Sequence, residues 1–178
     1  MPCTYKARVG DILLLGDYKY ELVSGPGRND WKATAIDKTK TSYEPFIDNI
    51  VGSGVTSLAQ TFEGCTNLVV APEIPETVRI MYCTFYNCTS LTTVHRIPSS
   101  VNSMTRTFEN CSSITGTIYV DTNQITGTGN STSSPGCSYC CMYKIGGPVT
   151  LVGNGENYES LVNIAAYSGG KVTIIKSQ

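Results

Sequence analysis

Along residues 55–123 the apolar positions neither alternate nor follow a helical face; they return at a fixed interval. Phe62-Glu63-Gly64-Cys65-Thr66-Asn67-Leu68 recurs as Phe85-Tyr86-Asn87-Cys88-Thr89-Ser90-Leu91 and again as Phe108-Glu109-Asn110-Cys111-Ser112-Ser113-Ile114, a step of 23 residues both times. Thr61/Thr84/Thr107, Leu58/Met81/Met104, Val55/Val78/Val101 and Ile74/Ile97/Val120 keep the same step. Pro75 and Pro98 match as well, but Asp121 breaks their column. The columns between them vary freely, as in Glu63/Tyr86/Glu109 and Glu73/Arg96/Tyr119. Stacked coils require this pattern: each coil buries one stripe against its neighbours and turns its other side chains to water. A period of 23 residues suits one short strand per coil in a parallel ladder. The pattern predicts a mainly β solenoid.

The flanks have a different texture. Ile12 to Leu15 and Tyr18 to Val23 enclose Gly16-Asp17, the signature of a hairpin, and Trp31 to Ile36 alternates as a third strand. Residues 24–30 read as a loop between them. Residues 1–50 are therefore expected to form a β-rich N-terminal cap over the open edge of the first coil, with the solenoid over 51–178. Carried past the clear repeats, the offsets from the phenylalanine column place Tyr139 in that column, Met142 in the cysteine column, and Ile145 and Leu151 in the ladder. That register needs an insertion of 8 residues, within a Gly-, Ser- and Thr-rich loop at about 124–137. Val149 to Val152 and Val172 to Ile175 are again 23 apart, and Tyr158, Leu161, Ile164 and Ala165 share a helical face that stops at Gly169-Gly170. A strand–helix–strand C-terminal cap is predicted.

The repeated elements, Phe-x-x-Cys-[Thr/Ser]-x-Leu followed by Ile-Pro-x-[Thr/Ser]-Val, stand at Phe62 to Val78 and Phe85 to Val101, with a partial copy from Phe108. In these the chain resembles the BspA-type leucine-rich repeats of bacterial surface and phage-associated proteins. The resemblance covers residues 55–123 well and the C-terminal remainder more weakly. It implies a leucine-rich-repeat-like parallel strand ladder, and a role in surface adhesion or as a prophage-encoded accessory protein.

Composition narrows the function. With 22 Thr, 17 Ser, 17 Gly and 11 Tyr but only 15% charged residues, the chain favours strands and turns over helices. Its length suits one domain with an appendage. A net charge of −1 argues against nucleic acid or an anionic membrane surface as partner, because both need clustered Lys and Arg. No apolar run is long enough to span a membrane. Residues 1–6 lack the regions of a signal peptide, so a cytoplasmic or virion-associated location is expected unless a leader was removed, and the cell surface if one was.

Eight cysteines are the obvious candidates for chemistry. Cys65, Cys88 and Cys111 share one column with a packing pattern, which favours small buried core thiols over a disulfide or metal. Cys83, between Gln60 and Arg106 in its column, is expected to be accessible, and Cys3 is isolated. Cys137-Ser138-Tyr139-Cys140-Cys141 leaves metal ligation, a local disulfide and free thiols open. The last is preferred, since a zinc site needs four ligands and no second pair completes it. His95 is the single histidine and has no neighbouring column to supply a nucleophile and an orienting group. No phosphate loop, nucleophile elbow or dinucleotide fingerprint is present; Gly52-Ser53-Gly54 lacks the context for one. No catalytic residue, metal or cofactor is expected.

What is left is surface. Tyr82, Tyr86, Tyr119 and Tyr143 fall in variable columns, and tyrosine among small polar residues suits adaptable recognition. The expectation is a non-enzymatic binding or adhesion module that recognises a protein or glycan through its repeat face. The columns Glu73/Arg96/Tyr119 and Pro72/His95/Ile118 would carry contact, with Glu73, His95, Arg96 and Tyr119 as the binding residues. The alternative is a phage or prophage structural or accessory protein, a virion component or an inhibitor of a host system, with an oligomer or larger assembly as its setting.

Overall fold

A computed structural model describes residues 8–24, 30–47, 50, 54–121, 141–153, 161–162, 165 and 168–177. It is mostly β. Strands β1 (Ile12–Leu15), β2 (Tyr18–Ser24), β3 (Asp30–Ala35) and β4 (Val55–Ser57) form one four-stranded sheet in that order. Strands β5 (Arg96–Ile97), β6 (Gly116–Val120), β7 (Val149–Gly153) and β8 (Val172–Lys176) form a second.

The N-terminal pattern folds as its alternation dictates. Leu15 pairs with Tyr18 across Gly16-Asp17, and Gly16 has φ +55°, the left-handed conformation that a glycine at the first turn position supplies. Inward-facing Tyr18, Tyr20 and Leu22 of β2 and Trp31, Ala33 and Ala35 of β3 are all buried. The chain then changes mode: β3 pairs with β4 in parallel, Trp31 opposite Val55. From there on all described strand pairing is parallel.

Successive 23-residue units stack directly on one another. Single bridges join Ser57 to Ile80, Ile80 to Ser103 and Val70 to Thr93, and β5 lies in register with β6, Arg96 opposite Tyr119. Phe62, Phe85 and Phe108 are fully buried in one column, with ring centroids 5.3 and 5.6 Å apart and planes within 5° of parallel. The threonine column works as a clip between units. Thr84 Oγ1 donates to the Leu58 carbonyl (2.8 Å) and Thr107 Oγ1 to that of Met81 (2.7 Å). Thr61 reaches back to Ala33 of β3 (2.7 Å), so β3 serves the first unit as a preceding unit would. Tyr18, Tyr43 and Phe46 complete that substitution, with rings 4.9–6.1 Å from Phe62.

Each unit turns at two left-handed residues, one two before the phenylalanine (Gln60, Cys83, Arg106) and one two after (Gly64, Asn87, Asn110). Glycine and asparagine tolerate that conformation, whereas Gln, Cys and Arg are held there at a cost of about 1–2 kcal/mol each. Main-chain bonds to the following unit hold two of them there: Gln60 N–H donates to Tyr82 O, and Cys83 N–H to Thr105 O.

The fourth unit has another register than the offsets predicted. Phe62 and Phe85 donate to the carbonyls of Thr84 and Thr107, each just before the next phenylalanine; Phe108 donates to Cys141. Lys144 takes the left-handed position of Asn87 and Asn110. Met142 therefore occupies the phenylalanine column and Ile145 the cysteine column, which makes the insertion 11 residues rather than 8. The next turn is tighter than its predecessors. Gly146 passes so close to the third unit that a Cβ there would lie 1.3 Å from the Ser112 carbonyl oxygen. Leu151 pairs with Ile118 rather than with Val120, a shift of two, and the turn is one residue shorter; together these move the column from Tyr139 to Met142.

Val149 pairs with Val172 and Leu151 with Ile174, the expected 23-residue step. Leu161, Val162 and Ala165 are helical between these strands, and Leu161 is buried. Tyr139, Tyr158, Ile164, Cys3, Cys137, Cys140 and the loop expected at 124–137 lie outside the described residues. Among the described residues no helix is long and apolar enough to cross a membrane.

Candidate functional site

The residues that sequence marked for contact lie on the outer side of the second sheet and the segment beneath it. Glu73, His95, Arg96 and Tyr119 are all exposed, and Arg96 and Tyr119 are direct neighbours across β5 and β6. The second predicted row does not hold. Ile118, expected beside His95 on the surface, is 1% exposed. Strand β6 alternates regularly and turns Ile118 and Val120 inward, whereas β5 is only two residues long. Before β5 the alternation breaks, so Val94 is buried while His95 and Arg96 both face out.

Arg96 is not a free cation. Its guanidinium contacts Glu76 of the preceding unit through Nη1 and Asp121 of the following one through Nε. These carboxylates, Asp121 first, hold the arginine above its ordinary pKa. Sequence reasoning saw Asp121 only as a break in the proline column. In a parallel ladder, however, a residue two beyond the direct neighbour lies diagonally within reach on the same face. Asp121 stands in that relation to Arg96 through Tyr119, a signal available once the register was known.

Glu73 sits differently. It has no ion-pair or hydrogen-bond partner among the described residues, and it borders two concavities of about 270 Å³ each. One is lined by Pro72, Glu73, Ile74, Val94, His95 and Arg96. The other is lined by Pro45, Phe46, Glu73, Ile74, Pro75 and Glu76. They adjoin at Glu73 and Ile74, and together run from residues 45–46 across two units.

The thiols lie elsewhere, inside. Cys65, Cys88 and Cys111 are fully buried, as their column predicted. Cys88 Sγ donates to the Phe62 carbonyl (3.0 Å) and Cys111 Sγ to that of Phe85 (3.1 Å). Cys65, with no unit before it, has the Tyr43 hydroxyl at 3.3 Å instead. Burial pushes all three up, Cys111 to about 12, so none is a thiolate near neutral pH. Cys83 corrects the expectation of an accessible thiol: it is only 4% exposed. Its column neighbours are long. Gln60 bonds Glu63 below it, Arg106 bonds Glu109 above it, and the Arg106 guanidinium lies 4.7 Å from the Tyr86 ring centroid. A short side chain between two such pairs is covered by them. The same pairing leaves Tyr86 half-buried and Glu109 buried, so the Glu63/Tyr86/Glu109 column is less open than its variability suggested. Cys141 is buried.

Among the described residues no group of three His, Cys, Asp or Glu side chains is placed to hold a metal ion. No family model, curated protein or solved structure matches the chain.

Proposed function

We propose that this protein is a non-enzymatic binding module, a leucine-rich-repeat-like solenoid of the BspA type that recognises a protein or glycan ligand through its repeat face. One observation carries the reading. Glu73, Arg96 and Tyr119 stand exposed on three successive units of a scaffold whose threonine, phenylalanine, cysteine and leucine columns, at Thr61, Phe62, Cys65, Leu68 and their repeats, are buried. Rigid presentation of this kind lowers the ordering cost of recognition, and exposed Arg and Tyr are the types that become hot spots. The buried, proton-bearing thiols support a non-enzymatic role, because the column richest in nucleophiles is spent on packing.

The test is binding of the intact chain to displayed random peptides and to a glycan array, with Arg96→Ala and Tyr119→Ala alongside. The expected result is a saturable ligand whose affinity falls about 30-fold or more in at least one variant, the ~2 kcal/mol of a hot spot. Both variants should keep stability within about 0.5 kcal/mol, as surface substitutions do. If neither change weakens any ligand, the repeat face is the wrong surface.

A second reading, a structural or accessory component of a phage assembly, draws on strand β1. It is an edge strand of four aliphatic residues, with Ile12 54% and Leu14 68% exposed. Natural edges are usually blunted with charge or proline; β1 itself carries neither, and among the described residues no strand pairs with its outer side, as suits a strand that takes an assembly partner.

A further inference from the structure

We infer that the groove meeting at Glu73 takes an extended polypeptide segment carrying one Lys or Arg between apolar residues. This deepens the binding-module reading and rests on it.

The groove has two chemically different parts. Its walls are apolar and stiff: Pro72, Ile74 and Val94 on one side of the junction, Pro45, Phe46 and Pro75 on the other. At the junction stands Glu73, whose carboxylate has no partner among the described residues. Among the described residues the cation at its rim is Arg96, which is held by Glu76 and Asp121, so it neither neutralises Glu73 nor stands ready for an anion. Counting those four side chains, the rim carries two net negative charges. A cation placed there gives Glu73 a counter-charge, and apolar groups on either side cover the accessible surfaces of Pro45, Pro72 and Pro75.

Size agrees. The groove crosses the cap and two stacked units, three layers at about 4.8 Å spacing, or roughly 10 Å; an extended chain covers that with about three residues. An apolar–basic–apolar tripeptide core therefore matches the groove in length and in sequence of chemistry. A neutral glycan would leave Glu73 without its counter-charge.

The experiment uses the whole ¹⁵N-labelled chain and the pentapeptide acetyl-Ala-Leu-Lys-Leu-Ala-amide, followed by amide chemical shifts. Saturable shifts at Phe46, Glu73, Ile74, Val94 and His95 are expected. The peptide with glutamate in place of lysine should produce none. Glu73→Gln should weaken the lysine peptide about tenfold and remove most of its salt dependence. Glu73→Arg should reverse the preference toward the glutamate peptide, which a merely structural role for Glu73 would not do. Equal binding of both peptides, or indifference to Glu73→Gln, overturns the assignment. Binding only on the glycan array, lost in Tyr119→Ala, overturns it while leaving the binding-module reading standing. Absence of any saturable ligand removes both.

Discussion

Replacing Phe85 with alanine tests the stacked-column architecture at its centre. The ring is fully buried between Phe62 at 5.3 Å and Phe108 at 5.6 Å. Phenylalanine-to-alanine changes in cores cost about 3–5 kcal/mol, the spread reflecting how far the site can collapse. Here collapse is blocked. The Phe85 backbone is held from above by its N–H bond to Thr107 O and by the Cys111 thiol on its carbonyl, while Thr84 O accepts from Phe62 N–H below. Loss of two aromatic contacts, at about 0.5–1.5 kcal/mol each, adds to the cavity term. The cost should therefore sit near the top of the range, about 4–5 kcal/mol, or roughly 8–20 °C in Tm for a chain of this length. Phe108→Ala should cost about 1 kcal/mol less, because its upper neighbour in the column is Met142, whose flexible thioether can move into the gap. Urea unfolding read by far-UV circular dichroism measures both. A Phe85→Ala cost below about 2 kcal/mol, or one smaller than that of Phe108→Ala, would refute the reasoning.

Two pH-linked predictions follow from side chains held in unlike environments. Native Cys65, Cys83, Cys88 and Cys111 should resist a thiol reagent at neutral pH and react together on unfolding; rapid native labelling of Cys83 would show that its cover of Gln60, Arg106 and their partners is not in place. Because folding raises the Cys88 and Cys111 pKa above the unfolded value near 9, their contribution is complete below about pH 9 and is lost as pH rises toward the folded values. Unfolding midpoints should thus fall above about pH 9, and less steeply in Cys111→Ala; an unchanged slope would sink the linkage. Asp17 has the opposite sign. Its carboxylate accepts Lys40 Nζ and the Glu44 N–H (2.9 Å), which lowers its pKa, so its stabilisation is present above about pH 4 and lost as pH falls below that. Asp17→Asn should be less stable than wild type near neutrality and converge with it in acid, as urea midpoints at both ends would show.

How much of this was legible beforehand differs by element, and the differences have a physical cause. Where one residue fills the same slot in every unit, spacing alone suffices: the phenylalanine stack, the threonine clips and the buried Cys65, Cys88 and Cys111 follow from the 23-residue step. Each such slot sees nearly identical neighbours above and below, so local sequence and tertiary environment coincide. The hairpin of β1 and β2 was equally plain, since alternation around Gly16-Asp17 specifies it without help from elsewhere. Tertiary structure decided whatever depends on the neighbouring unit being different. Cys83 is covered because Gln60 and Arg106 happen to be long and paired; Ile118 is buried because β6 is longer than β5. Met142 stands in for a phenylalanine because Phe108 and Asn110 bond to Cys141 and Tyr143, a register that only contact with the unit before it fixes. Arg96 is bound rather than free because Asp121 interrupts a proline column two residues past its opposite number. Glu73 has no partner among the described residues because the cation beside it, Arg96, is already engaged by Glu76 and Asp121. A repeat period states which positions must be alike, and contact across the stack determines what the unlike positions become.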